Sequence, residues 1–175
     1  MWVETSTLRY IGGSLALSDI LLHTTLPQPV NLVIHRGQSR FSLNPRRSFA
    51  PSETLHLYVE VYNLSVSNRR CEYEVTYSIH GADTASTRAQ RIGRAMKRLL
   101  RIGAPPSAII SQSLERGGTT DATSEEIAID IRALPPGDYV LVVSAVDRIS
   151  GEEARASKSF VKLRSGFNGR GSQKE

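Results

Sequence analysis

His56, Tyr58, Glu60 and Tyr62, each two residues from the next, form the most suggestive chemical row in this 175-residue chain. Two tyrosine rings flanking a carboxylate suit a sugar ring or a partner protein, since the rings offer apolar faces and the carboxylate accepts hydrogen bonds. Tyr58, Glu60 and Tyr62 are therefore candidate interaction residues. The competing arrangement is a face packed beneath another element, and it is the commoner one, because Tyr and His often sit partly buried.

A second candidate is a run of positive charge. Between Thr84 and Leu114 stand six of the 22 basic residues and no acidic one, which leaves 16 basic against 17 acidic elsewhere. The pI near 9.7 thus reflects one local patch and not a basic protein. Within the patch, Ile92, Ala95, Met96, Leu99 and Leu100 recur at helical spacing, with Arg91, Arg94, Lys97, Arg98 and Arg101 on the opposite arc. The pattern predicts a short amphipathic helix over about 89–102, stopped near Gly103 and followed by Pro105-Pro106. Its cationic arc could meet an anionic membrane surface or an acidic protein, or could simply be the solvated side of a helix that caps the sheets. Nucleic acid is the weakest partner, because no aromatic residue near the patch offers a base a stacking surface.

Other chemistry is sparse. The histidines, His23, His35, His56 and His80, show no metal-ligand spacing in sequence, and the single cysteine, Cys71, excludes an internal disulfide and a cysteine-cluster metal site. Cys71 alternates with Tyr73, Val75, Tyr77 and Ile79, as a small apolar residue on the inner face of a strand would. Asp19 and Asp147 lie beside hydroxyls and read as turn and cap residues, not as an acid–base pair. No nucleophile elbow, phosphate loop or dinucleotide fingerprint occurs. The residues assemble no catalytic set, no cofactor site and no metal site, so a non-enzymatic role is expected.

The elements that must carry these residues are strands. A hydrophobic content of 39% is that of a folded domain, and no run approaches the roughly 20 apolar residues of a membrane-spanning helix. The MWVETSTLRYIGG start has no basic and apolar leader pattern. Leu55, Leu57, Val59 and Val61 alternate with His56, Tyr58, Glu60 and Tyr62, and the segment around Cys71–His80 alternates in the same way. Such two-faced strands belong to antiparallel sheets covering a core on one side. Further strands are predicted at 40–43, 107–114 and 127–131. The segment LPPGDYVLVVSAVDRISGEEARASKSFVKL, from Leu134, reads as a proline–glycine corner leading into two long strands around Ser150-Gly151. Counted from Arg40 there are seven strands, with the helix inserted between the third and the fourth. An all-β antiparallel sandwich of the immunoglobulin or fibronectin type III kind follows, with Tyr139 hydrogen-bonding back across the corner.

Several stretches resemble the β-sandwich region of bacterial proteins that carry a GWxTD motif: LALSDILL (15–22), SLNPRRSFAPSETLHLYVEVYNL (42–64), LPPGDYVLVVSAVDRISG (134–151) and SFVKL (159–163). The resemblance spans most of residues 14–163, but the GWxTD segment itself is absent and no catalytic residue comes with it. It implies an exported or envelope-associated module whose partner is a protein, either a neighbouring domain or another envelope component. It also implies a division into residues 1–22 as the last strand and linker of a preceding β domain, 23–165 as the sandwich and 166–175 as a tail. Met1 would then be a fragment start, and the missing leader would carry no information on compartment.

Overall fold

The computed structural model describes residues 13–24, 33–36, 39–42, 44–82 and 108–165. All regular structure among them is β. One sheet is built on β6 (Thr54–Tyr62), with β9 (Ala122–Asp130) along one edge and β1 (Ala16–Leu17) and β2 (Leu21–His23) in succession along the other. The second sheet has five strands in the order β5 (Ser48–Phe49), β11 (Glu153–Lys162), β10 (Gly137–Asp147), β7 (Cys71–Gly81), β8 (Ile110–Gly118). Its pairings are antiparallel except the short parallel contact of β5 with β11. A separate hairpin joins β3 (Val33–Arg36) to β4 (Ser39–Ser42).

Alternation produces this arrangement directly. Leu55, Leu57, Val59 and Val61 of β6 are 0% exposed, and Val75, Ile79, Leu141 and Val143 meet them from the facing sheet in one core. Full burial of each such side chain contributes about 1.5–3 kcal/mol, so the sandwich rests on its two inner faces. Cys71 belongs to this core, on the inner face where the alternation places it.

The N-terminal edge departs from the expected domain division. Leu15, Leu17, Ile20 and Leu22 lie in the same core, so a boundary after residue 22 would cut through an edge strand of the sandwich itself. The register explains why the strand is hard to see. Leu17 pairs with Val61 and Leu21 with Tyr58, so Ser18, Asp19 and Ile20 occupy the space opposite only Val59 and Glu60. This is a bulge, and it shifts the inward phase from odd to even residues. The Ser18 amide donates to the Glu60 carbonyl at 2.9 Å, while the Ser18 hydroxyl accepts from the Glu60 amide at 2.9 Å and repairs the ladder. Lys158 of β11 then reaches over to Asp19 at 2.7 Å and ties the bulge to the other sheet.

The strand expected at 40–43 is also reassigned. Its residues pair with β3 and not with either main sheet, because the hairpin lies against the outside of the sandwich instead of within it. The expected helix at 89–102 and the tail at 166–175 lie outside the described residues.

Two turns lock the second sheet. At the corner before β10, the Tyr139 hydroxyl donates to the Pro135 carbonyl at 2.7 Å, and its ring stacks on Phe160 with centroids 5.4 Å apart. Tyr139→Phe is expected to cost about 1–3 kcal/mol through that one bond; urea unfolding identical to the parent would show that the bond contributes nothing. Between β10 and β11, Gly151 takes a φ of +78°, a conformation that favours glycine, and its amide donates to the Asp147 carbonyl at 2.8 Å.

Candidate interaction surfaces

The outer face of β6 carries His56, Tyr58, Glu60 and Tyr62 in the expected alternation, but it is not an open row. Tyr58 is 5% exposed, with Phe41 of the hairpin packed 4.7 Å from its ring. Its hydroxyl donates to Glu60 Oε1 at 2.9 Å, and the Tyr62 hydroxyl donates to the other carboxylate oxygen. Glu60 is thus gripped by the tyrosines two residues before and after it. The reading of this row as an exposed ligand platform is corrected for Tyr58, whose ring is already covered. Tyr62 and Glu60 remain half-buried.

Beside them the structure gathers residues that the sequence leaves apart. His23 of β2 lies opposite His56, with ring centroids 5.1 Å apart, and Phe41 stacks on His23 at 4.7 Å. Glu126 of β9 places Oε1 3.7 Å from His23 Nε2. Burial, and then the neighbouring His56, depress the His23 pKa to about 4. The imidazole is therefore neutral at neutral pH, and its approach to Glu126 is not an ion pair there. Among the described residues no three His, Cys, Asp or Glu side chains converge as a metal-binding group.

On the flank where the chain passes from β8 to β9, a buried carboxylate bridges the sheets. The Tyr73 hydroxyl donates to Glu125 Oε1 at 2.7 Å, and Arg116 Nε donates to Oε2 at 3.1 Å. Burial and the bond to Glu125 push the Tyr73 hydroxyl well above its ordinary pKa. Four register pairs further along, Tyr77 donates to Gln112. Glu125 stands in phase with Ile127 and Ile129, but the strand expected at 127–131 begins earlier, at Ala122, and so takes in this residue that the sequence places in a polar loop. Nothing local in the polar segment around Phe41 signals that this ring covers Tyr58.

The outer face of the five-stranded sheet has a different character. Val140, Val142 and Ser144 of β10 are half-buried; Val142 lies between Ser78 of β7 and Ser157 of β11, and Ser144 between Thr76 of β7 and Arg155 of β11. The surface is hydroxyl-rich and uncharged around Val142, with Arg155 beside Ser144. Arg148–Glu74 and Arg155–Glu153 ion pairs stand toward one end.

The proposed cationic residues Arg91, Arg94, Lys97, Arg98 and Arg101 lie outside the described residues. The described flanks of that insert are adjacent: the Ile109 amide donates to the Ile79 carbonyl at 2.9 Å, and the Ala82 amide to the Asp138 carbonyl at 2.9 Å. The insert therefore leaves and rejoins the sheet at neighbouring positions, at the end that holds the Tyr139 corner.

No protein-family model matches the chain, and none of the curated proteins compared matches it. Among solved structures it is similar to the PmoD soluble domain from Methylocystis sp. ATCC 49242 (Rockwell), at 12% identity over 82% of this chain and 89% of that one, with a TM-score of 0.31. A likeness of that degree carries no argument about fold or function.

Proposed function

We propose that the chain is a non-catalytic β-sandwich module of the immunoglobulin or fibronectin III kind, set in a larger envelope-associated bacterial protein and serving a structural or protein-interaction role. Strand order supports the finer fold reading. With β6 and β9 as strands B and E, and with β7, β8, β10 and β11 as C, C′, F and G, the two sheets follow the pattern of that group. The tyrosine bond at the corner before strand F is a further mark of it. The compartment and the protein partner rest on the resemblance to GWxTD-motif proteins.

One observation carries the functional reading: among the described residues, the buried and half-buried carboxylates on these faces and the buried lysine are committed to internal bonds. Glu53 is bound by Thr24 and the Ala50 amide, Glu60 by two tyrosines, Glu125 by Tyr73 and Arg116, and Lys162 by the Ile131 carbonyl. An acid, base or nucleophile must instead face a space that a substrate can enter. Among the described residues, the outer face around Val142 and Ser144 is an open sheet surface without a deep cleft, which suits a protein better than a small molecule. The chain is expected to fold without added ligand and to be inert against panels of ester, glycoside and peptide substrates. Turnover that co-purifies with the folded chain and is lost with it on denaturation would overturn this reading.

The local excess of positive charge supports a second reading, an adaptor for anionic surfaces that acts through Arg91, Arg94, Lys97, Arg98 and Arg101. Vesicle sedimentation that does not respond to anionic lipid content or to salt would remove it.

A further inference from the structure

We propose that the docking of the β3–β4 hairpin on the outer face of the β6 sheet is an acid-sensitive latch, closed only while the His23 imidazole, wedged among Phe41, His56 and Glu126, stays neutral. The burial of His23 is the first observation. It is 5% exposed, and its Nε2 has no hydrogen-bond partner among the described residues. A proton added there would create a buried charge that no described residue meets at hydrogen-bond distance, Glu126 standing 3.7 Å away, and this is costly unless the site opens.

The second observation is how the hairpin is held. Phe41 is 1% exposed and packs on both His23 and Tyr58, each at a centroid distance of 4.7 Å. Beyond that stack, the described backbone bonds from the end of β4 to β2 are Thr24 N to Ser42 O at 3.4 Å and Asn44 N to Leu22 O at 3.1 Å. The imidazole is therefore one of the two rings that seat Phe41, and a charged, hydrated imidazole is a poorer seat.

The surrounding charges oppose protonation more than they favour it. From β6, His56 faces His23, and Glu60 beyond Tyr58 is already bound by two tyrosines. From β9, Glu126 is the one carboxylate in reach, at 3.7 Å, with half of its side chain in solvent, while its outward neighbours Ser124 and Ala128 are uncharged. On the side of Thr24, Glu53 is occupied by the Thr24 hydroxyl and the Ala50 amide. The hairpin itself carries His35, Arg36 and Arg40 and no acidic residue. The sequence of the hairpin thus supplies no carboxylate to stabilise a protonated His23.

The direction of the pH response follows from linkage. The closed form holds His23 at a pKa of about 4, against the ordinary 6.5 once the hairpin lifts and water enters. A histidine with a lowered pKa favours the closed form fully above pH 6.5, and that advantage is lost as the pH falls from 6.5 toward 4. The ratio of open to closed hairpin should rise roughly 30-fold between pH 7.5 and pH 5.

The test is amide hydrogen exchange of the full chain at both pH values, corrected for intrinsic rates, alongside a proton NMR titration of the histidines. The expected result is faster exchange in residues 33–42 by the stated factor at pH 5, unchanged protection in β6 and β10, and a His23 resonance that titrates far below 6.5. His23→Phe, which keeps an aromatic seat and removes the proton site, should abolish the pH response of the hairpin. If that variant does not fold, the titration of the parent decides. A His23 that titrates near 6.5 while the hairpin stays protected, or a His23→Phe chain with the parent's pH response, would overturn the latch.

Discussion

Asp147→Ala should lower the stability of the chain by about 3–5 kcal/mol, the largest effect expected of any single polar substitution here. Asp147 is fully buried at the end of β10, and its carboxylate serves two loops at once. Oδ2 accepts the Ser65 amide at 2.7 Å, and Oδ1 accepts the amides of Ile149 at 2.8 Å and Ser150 at 3.2 Å. One side chain therefore closes the β10–β11 turn and fastens it to the loop between β6 and β7. Its loss would leave three amide donors without this acceptor, in a place where the turn geometry limits access by water. Asp147→Asn keeps an acceptor oxygen and should recover part of the loss.

The same carboxylate makes a pH prediction. Burial alone would raise its pKa, but the amide donors from Ser65, Ile149 and Ser150 outweigh burial and hold it at about 2 instead of 3.8. A depressed carboxylate stabilises the fold above its unfolded pKa and ceases to do so as the pH falls through its folded value. Roughly 2 kcal/mol should therefore disappear between pH 4 and pH 2. Urea titrations of parent and Asp147→Asn should converge over that interval. Curves that stay parallel down to pH 2 would show that the carboxylate is not the source.

The second large effect is expected at Glu125. Glu125→Ala should cost about 2–4 kcal/mol, because it opens a gap in the core and leaves the buried Tyr73 hydroxyl without its acceptor. Arg116 adds less, since its side chain is 39% exposed and water can replace the contact. A double-mutant cycle isolates the bond: Tyr73→Phe removes the stranded donor, so the double variant should be less damaged than the two single losses added together. Additive losses would mean that Glu125 acts by filling space and not through Tyr73.

These two residues also show what the sequence discloses and what it conceals. Alternation in Thr54–Tyr62 and Cys71–Gly81 is legible because each strand buries one face on one core, whereas Glu125 reads as part of a polar loop before Ile127 although β9 begins at Ala122 and turns it inward. Asp147 reads correctly as a turn residue, since an aspartate before Ser150-Gly151 has amides within reach of its own side chain. Its second bond, to Ser65, spans 82 positions, and no local pattern encodes it.

Other features are hidden for identifiable reasons. In the edge strand at 15–23 one extra residue shifts the inward phase in the middle, so no single alternation runs through it, while the reading of LALSDILL as a joint between domains comes from the resemblance to GWxTD-motif proteins. The row at Tyr58 is seen correctly as a face, but its cover comes from Phe41, 17 positions earlier in sequence, on a hairpin that belongs to neither main sheet. Pairing of His23 with His56 likewise exists only after β2 and β6 are in register. Spacing along the chain therefore gave no sign of a histidine pair.

The central claim is that the outer face of the five-stranded sheet, and not a catalytic cleft, is the working surface of this module. The most direct measurement is photocrosslinking in the native cell, with the probe placed at Ser144 in the full chain and, as a control, at exposed Ser124 on the opposite sheet. The account predicts a discrete protein adduct from Ser144, absent from Ser124 and lost when neighbouring Val142 is replaced by Arg in a chain that still folds. Equal labelling from both positions, or no protein adduct from Ser144, would contradict it.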